Sequence, residues 1–279
     1  MPPLRRRQWF YQKNYQENLD MGELIEKFPV FFYRIGIRYV VFAGIAFLLF
    51  YVIFRNQKRI RKIQRNFPKV SDYQRDISYS VLTIVIFTIV ALVTFITLSP
   101  YNLLIKDISA EPTWYWAGTF ILMFFLHDFY FYWAHRWMHQ PRWFKTIHKV
   151  HHLSTNPSPW TAYSFHPLEA IVEVMIIPII AFTIPSHLLV VMIFMVFQIA
   201  YNVYGHIGYE LYPKGFHKTW IGKYVNTSVS HNQHHQRFHG NYGLYTLIWD
   251  RVFGTIRPDY DEDYEKATSK PQIINTTLT

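Results

Sequence analysis

The chain of 279 residues contains no cysteine, and charged residues make up only 16% of it. Without a thiolate, neither an iron–sulfur cluster nor a cysteine-held metal can be built from its own residues. The absence of cysteine leaves the cellular compartment open, because it shows only that no disulfide is needed. The low charge stands beside a hydrophobic fraction of 51% and an aromatic fraction of 19%. This composition indicates a membrane protein.

Two further features are missing. Gly205 and Gly208 lack the third glycine and the preceding strand that dinucleotide binding needs, so we expect no reductase domain in this chain. The N-terminus has arginines but neither an adjoining apolar core nor a small-residue cleavage site, so we expect no cleavable signal peptide. The formal net charge of +10 favours contact with anionic lipid, and the apolar runs favour lipid over nucleic acid as its partner.

Apolar stretches predict a bundle of transmembrane segments, with each crossing near the ~20 residues that span a bilayer. The first stretch is apolar except for Arg34 and Arg38, and the last is broken at Pro185 and predicted to be a hairpin that enters and leaves on one side. The predicted spans are residues 28–54, 77–98 and 114–134, with the hairpin at 168–205.

The basic loop after the first span orients this topology. Seven lysines and arginines lie between Arg55 and Lys69, with no acid before Asp72, which predicts a cytoplasmic loop by the positive-inside rule. Residues 1–27 are predicted to be an interfacial or disordered segment. Residues 28–279 are predicted to form one domain, whose cytosolic cap comprises residues 135–167 and 206–279.

Histidines form three groups at short spacing, all on the predicted cytoplasmic side: His135 and His139; His148, His151 and His152; and His231, His234 and His235. Side chains three and four residues apart on a helix stand about 5–6 Å apart at Cβ, so we expect each group to aim its imidazoles at a common point. Neutral imidazole suits iron, zinc, copper and nickel. Eight ligands are too many for one ion, which predicts two metals.

The same motifs carry a family resemblance. YWAHRWMH, HKVHH, SFHPLE, YGHIGYE, HNQHH and GNYGLYTLIWDRVFGT, between about Asp128 and Thr255, resemble the fatty acid hydroxylase/sterol desaturase superfamily. The resemblance implies an all-α integral membrane protein, a bundle of transmembrane helices with a cytosolic helical cap that carries a histidine-rich di-iron site. It also implies oxidation of a lipid chain or sterol with O2 and electrons from an external cytochrome-type or ferredoxin-type donor with its reductase.

By the same resemblance the eight grouped histidines are the metal ligands, and catalysis runs through the metals; no residue is assigned to an organic cofactor. His206 matches a further ligand motif. Some members have a second histidine four residues later, where this chain has Glu210, so Glu210 is either a substituted ligand or none.

Several other polar residues are candidates for a supporting role. Asp128 lies seven residues before His135, two helical turns along one face, and we expect it to orient a ligand imidazole; the alternative is a carboxylate paired with an arginine. His166, Glu169 and Glu173 share a helical face and could orient ligands, bind iron or receive protons. His217 lacks partners at ligand spacing and is expected at the surface.

The favoured function is hydroxylation of a lipid, such as a fatty acyl chain, a sphingolipid or a sterol, with desaturation at the same site as the alternative. A different class remains open: a non-enzymatic membrane protein that binds or transports metal, or a haem protein. Haem would need single histidines facing each other at mid-membrane, whereas these are clustered at one face.

Overall fold

The computed structural model describes residues 21–55 and 61–269, whose regular secondary structure is almost entirely helical. Residues 1–20 of the predicted N-terminal segment, and Lys58 and Arg59 of the basic loop, lie outside the described residues. The long helices are α1 (Met21–Phe47), α2 (Val70–Leu92), α3 (Thr113–Met138) and α7 (Leu188–His206). The shorter ones are α4 (Pro141–Trp143), α5 (Pro167–Val174), α6 (Ile176–Thr183), α8 (Ser228–Arg237), α9 (Ile248–Val252) and α10 (Tyr260–Ser269). The all-α expectation is confirmed.

Among the described residues, three helical stretches are long and apolar enough to cross a membrane. Two of them, Met21–Ile53 and Val70–Thr97, end in π-helical turns that extend α1 and α2; the third is α7. Helix α3 has 26 residues but is less apolar, since it carries histidine, aspartate and arginine near its C-terminus. The crossing at 114–134 therefore stays a prediction.

The predicted hairpin is made of helices α5, α6 and α7, with its turn at residues 184–187. Tyr115 at the start of α3 donates a hydrogen bond from its hydroxyl to the Pro185 carbonyl at 2.7 Å. The backbone N–H of Ile105, in the loop before α3, donates to the Ser186 carbonyl at 3.0 Å. The turn of the hairpin thus lies level with the loop that joins α2 to α3.

The opposite end of the bundle is capped by less regular structure. Strands β1 (Arg61–Lys62) and β2 (Tyr209–Glu210) pair antiparallel, so the basic loop meets the chain just after α7. Helix α10 packs on α8 around a small core that includes Tyr260 and Tyr264. Between α4 and α5 the chain forms only single turns, with π geometry at Phe144–His148 and 3-10 geometry at His151–Leu153 and Pro159–Tyr163.

Candidate metal centre

Nine histidines come together at the capped end, and all are buried. They form two groups, and within each group the ligand nitrogens lie within 4.8 Å of one another. The first group is His135, His139, His148, His152 and His234; the second group is His151, His206, His231 and His235. All eight histidines of the sequence motifs are included, together with His206.

The expectation that each motif aims at one point is confirmed for His135 and His139 but is wrong for the other two motifs, which are divided between the groups. His148 and His152 join the first group, whereas His151 joins the second. The reason is local geometry: His148 ends a π-helical turn and His151 begins a 3-10 turn, so the spacing of a regular α-helix does not apply. On α8, His231 and His235 share a face, while His234 points to the other group.

Main-chain carbonyls determine which ring nitrogen is free to bind a metal. A carbonyl only accepts, so a histidine whose Nδ1 contacts one carries its proton on Nδ1 and leaves a lone pair on Nε2. Five histidines are held this way: His135 by Tyr242 (2.9 Å), His234 by Gly240 (2.7 Å), His151 by Ser164 (3.3 Å), His206 by Asn202 (2.8 Å) and His235 by Ser154 (3.0 Å).

The Nε2 atoms of each group face one another at close range. His135 and His148 are 3.0 Å apart at Nε2, and the other close Nε2 pairs in both groups lie between 3.0 and 3.3 Å. With both Nδ1 atoms protonated, two facing lone pairs repel. A metal bound at about 2.0–2.1 Å would place cis or tetrahedral ligand nitrogens roughly 2.9–3.4 Å apart. The donor sets therefore fit one metal ion each.

Burial keeps these imidazoles neutral. The pKa values of His148, His151, His152, His234 and His235 are all held well below the usual range for histidine, first by burial and then by the charge of neighbouring histidines. The neutral ring is the form that binds a metal. The site is thus ready for cations without first releasing protons.

Glu169 contacts a histidine of the first group directly. Its Oε1 lies 2.7 Å from Nδ1 of His148, while its buried Oε2 has no hydrogen-bond partner among the described residues. This geometry fits the orienting role considered for Glu169. Glu173 lies one turn further along α5 and lines a cavity, and His166 caps the start of α5 by accepting a hydrogen bond from the backbone N–H of Leu168 at 3.3 Å. Neither belongs to a histidine group.

Asp128 does not orient a histidine in the described part of the chain, contrary to expectation. Its carboxylate accepts hydrogen bonds from the backbone N–H groups of Tyr245 (2.8 Å) and Thr246 (3.0 Å), from the Thr246 hydroxyl and from the Trp249 indole (3.0 Å). Asp128 lies two helical turns before His135 on α3, at the level where residues 245–249 pack against this helix. Asp128 therefore anchors this segment, and the suggested arginine partner is not among its contacts.

Glu210 is not in either group. Its carboxylate accepts hydrogen bonds from the backbone N–H of Val229 and of Tyr212, both at 3.0 Å, and so holds the start of α8. Helix α7 ends at His206, and Gly208, at a φ of 73°, turns the chain into β2. The spacing of four residues that would place Glu210 beside His206 on a helix is thereby broken.

Two aspartates that the sequence did not single out hold the loops around the histidines. Asp76 on α2 accepts hydrogen bonds from the hydroxyls of Ser154 (2.7 Å), Thr161 (2.7 Å) and Ser164 (3.1 Å). The carbonyls of Ser154 and Ser164 are the acceptors for His235 and His151, so Asp76 supports the second group. The only signal in the sequence was an acid at the start of a long apolar run.

Asp250 has the corresponding place beside the first group. It accepts hydrogen bonds from the backbone N–H groups of Tyr242 and Gly243, both at 2.8 Å, and from the Thr255 hydroxyl at 2.6 Å. It thereby holds the segment whose carbonyls bind His135 and His234. Asp250 lies in the GNYGLYTLIWDRVFGT motif, which in the sequence indicates only the family resemblance.

His217 is buried, and its expected surface position is wrong. Its ring packs on Tyr264 with centroids 4.1 Å apart, and its Nε2 lies 3.8 Å from a carboxylate oxygen of Asp261. Helix α10 covers it, a contact between residues far apart in the chain that ligand spacing could not indicate. It belongs to neither histidine group.

A cavity of about 610 Å³ adjoins the second group, between α1, α2 and the hairpin helices. Most of its lining is aliphatic or aromatic. Phe165 and Asn202 line it, and both contact the second group: the Phe165 ring lies 5.1 Å from the His151 ring, and the Asn202 carbonyl accepts from His206. Its size is in the range of small-molecule sites.

Comparison with known proteins relates this arrangement to a family. Residues 120–255, which hold all nine histidines, match the family model of fatty acid hydroxylase. The chain is 33% identical over 144 residues to a Delta(7)-sterol 5(6)-desaturase of Gibberella zeae, covering 52% of this chain and 39% of the relative. It is 35% identical over 150 residues to a putative methylsterol monooxygenase of Dictyostelium discoideum, covering 54% and 55%.

A lathosterol oxidase of Rattus norvegicus is 31% identical over 159 residues, covering 56% of this chain and 52% of the relative. The chain spans about half the length of the curated relatives that it matches. No solved structure matches it. Residues 120–255, just under half of the chain, assemble the two histidine groups, and this segment belongs to the fatty acid hydroxylase/sterol desaturase superfamily.

Proposed function

We propose that the protein is a membrane-bound di-iron oxygenase that uses O2 and external electrons to hydroxylate a lipid. The observation that carries this proposal is the convergence of nine buried histidines into two adjacent groups beside an apolar cavity. His152 of the first group and His235 of the second have ring centroids 4.9 Å apart, so two bound ions would be close neighbours.

The protein's own residues prepare this site. Carbonyls and Glu169 contact the Nδ1 atoms of six of the nine imidazoles and so orient those rings, and burial of the histidines excludes bulk water. Two iron ions, when bound, would supply the reduction of O2 and the oxidation of a C–H bond. Phe165 forms part of the wall between the second group and the cavity, and an apolar chain in that cavity would lie within reach of the histidine end.

We place the site on the cytoplasmic face of a multi-pass protein. The pairing of β1 with β2 brings the basic residues 61–69 to the same end of the molecule as His206, which supports this orientation by the positive-inside rule. Electrons would come from a cytochrome-type or ferredoxin-type donor with its reductase, at this same face.

Desaturation at the same site is the second candidate. The names of the relatives include a desaturase, an oxidase and a monooxygenase of sterols, and so support both outcomes. The two reactions differ in whether the substrate carbon gains oxygen or loses a second hydrogen. Lipid extracts from expressing cells, analysed by mass spectrometry, would separate a product with one added oxygen from one lacking two hydrogens.

The decisive experiment is metal analysis and O2 uptake on protein purified from membranes. We expect two ions per chain, and O2 consumption by the iron-loaded protein only when reductant and lipid are both present. Two ions without lipid-dependent O2 uptake would instead support a metal-binding or transport protein. Haem in the purified protein would contradict the proposal.

A further inference from the structure

Two arginines line the cavity without an acidic partner. Arg34 and Arg38 lie one turn apart on α1, and neither forms an ion pair within residues 21–55 and 61–269. The Nε of Arg38 donates to the carbonyl of Arg34 at 3.1 Å, which leaves both guanidinium groups able to bind an anion. Charged side chains on a membrane helix are costly and usually functional.

Arg38 lies on the side of the cavity that leads to the histidines. Tyr39, next to Arg38, stacks on Tyr163 with ring centroids 5.2 Å apart and donates its hydroxyl to the Trp160 carbonyl at 2.8 Å. Burial raises the pKa of Tyr163, and the charge of Arg38 opposes that rise, as expected for a near neighbour. The ring centroids of Tyr163 and Phe165 are 6.3 Å apart, and the Phe165 ring in turn contacts the His151 ring.

The other end of the cavity is apolar. Leu188, Leu189, Met192 and Ile193 line it there, at the start of the 19-residue helix that ends at His206. Helix α7 rises about 1.5 Å per residue, so these side chains lie far from the histidines. Glu173 is the acidic residue in the lining, and it forms no ion pair with either arginine in the described chain.

We propose that the cavity binds an amphiphile with an anionic head, a carboxylate or a phosphate, held by Arg34 and Arg38, with its tail directed toward Leu188. This inference rests on the proposed function and sharpens it: because Tyr163 and Phe165 connect the surroundings of Arg38 to His151, oxidation is expected on the part of the tail nearest the anionic head. A lipid with a neutral hydroxyl would leave both guanidinium groups without a counter-charge.

Binding of matched lipids to the purified protein in detergent tests this proposal without requiring turnover. Oleate, oleoyl lysophosphatidate and oleyl alcohol share a tail and differ in the head. We expect both anions to bind at least about tenfold more tightly than the alcohol, since hydrogen bonds to charged groups are the stronger ones. Comparing oleate with the lysophosphatidate distinguishes a carboxylate from a phosphate as the preferred head.

The variant Arg34→Gln/Arg38→Gln should lose this preference while binding oleyl alcohol as before. Arg38→Lys keeps the positive charge and should retain most of the preference for anionic heads. Arg142→Gln is the matched control, because Arg142 is an exposed arginine over the Trp143 ring, outside the cavity. If the double variant does not fold, the head-group ratio of the unaltered protein and the Arg38→Lys variant still decide the question.

Equal binding of oleate, oleyl alcohol and cholesterol to the unaltered protein would overturn the proposal. So would an unchanged preference in the double variant with weaker membrane retention, which would mean that the arginines only contact bilayer phosphates. Selective binding of anions without any O2 uptake would refute the proposed function and leave this inference standing. O2 uptake with no head-group preference would refute this inference and leave the proposed function standing.

Discussion

The two histidine groups are built from the same side chain but are held differently. In the second group, His151, His206 and His235 each donate from Nδ1 to a main-chain carbonyl. In the first group, by contrast, the buried Nδ1 atoms of His139 and His152 have no hydrogen-bond partner among the described residues. Ligands with an oriented ring bind metal more strongly, so the second group is expected to hold its ion more firmly.

The acidic residues that support the two groups also lie in different parts of the sequence. The first group depends on Asp250 and Glu169, which both lie inside the family segment of residues 120–255. The second depends on Asp76, which lies on α2, outside that segment. One half of the candidate metal centre is therefore tied to a helix that the family match does not include.

Removing a ligand should have the largest effect. We expect His234→Ala to lose the ion of the first group and His151→Ala that of the second, with turnover abolished in both, since two ions must act together. Metal analysis should fall from two ions per chain to one. His239→Ala, an exposed histidine outside both groups, is the control. Two retained ions in both ligand variants would refute the assignment.

Removing the supporting aspartates should separate the two groups. Asp76→Ala should weaken the second ion, and Asp250→Ala the first, by about 10–100-fold in affinity, the usual cost of a lost supporting residue. Competition with a chelator, followed with cobalt as a spectroscopic probe, can measure each site. Asp76→Asn should recover part of the affinity, because the amide oxygen still accepts hydrogen bonds. A general loss of fold would lower both affinities together.

Chelation of the unaltered protein should reveal a smaller difference. Because His139 and His152 lack acceptors for their Nδ1 protons, the first group should release its ion about tenfold faster, at the low end of effects from missing supporting contacts. Stopped-flow absorbance after mixing with a chelator would show two phases. His234→Ala should lack the fast one. A single phase would remove the proposed contrast between the groups.

The smallest effect is expected at His217. His217→Ala removes a ring packed on Tyr264, which should lower the free energy of unfolding by about 1–2 kcal/mol while both ions are retained. Thermal unfolding beside metal analysis measures the two effects separately. Loss of an ion in this variant would show that α10 helps to shape the centre, although His217 belongs to neither histidine group.

Much of this arrangement was predictable from local patterns. Apolar runs indicated α1, α2 and α7, because the length of a hydrophobic stretch is a property of neighbouring residues. The histidine motifs identified all nine members of the two groups, including His206 by family resemblance. Glu169 was singled out because it shares a helical face with His166 and Glu173, and its carboxylate lies 2.7 Å from Nδ1 of His148.

Residue composition and spacing thus determine that this chain is a helical membrane protein with enough imidazoles for two metals. The division of those imidazoles into two groups depends on the irregular turns at 144–153, where His148 contacts His135 of α3 and Glu169 of α5. The roles of Asp76, Asp128 and Asp250 likewise depend on loops brought to them from 5 to 121 residues away along the chain. Hydrogen bonds across such separations leave no periodic signal, and only the tertiary structure decides them.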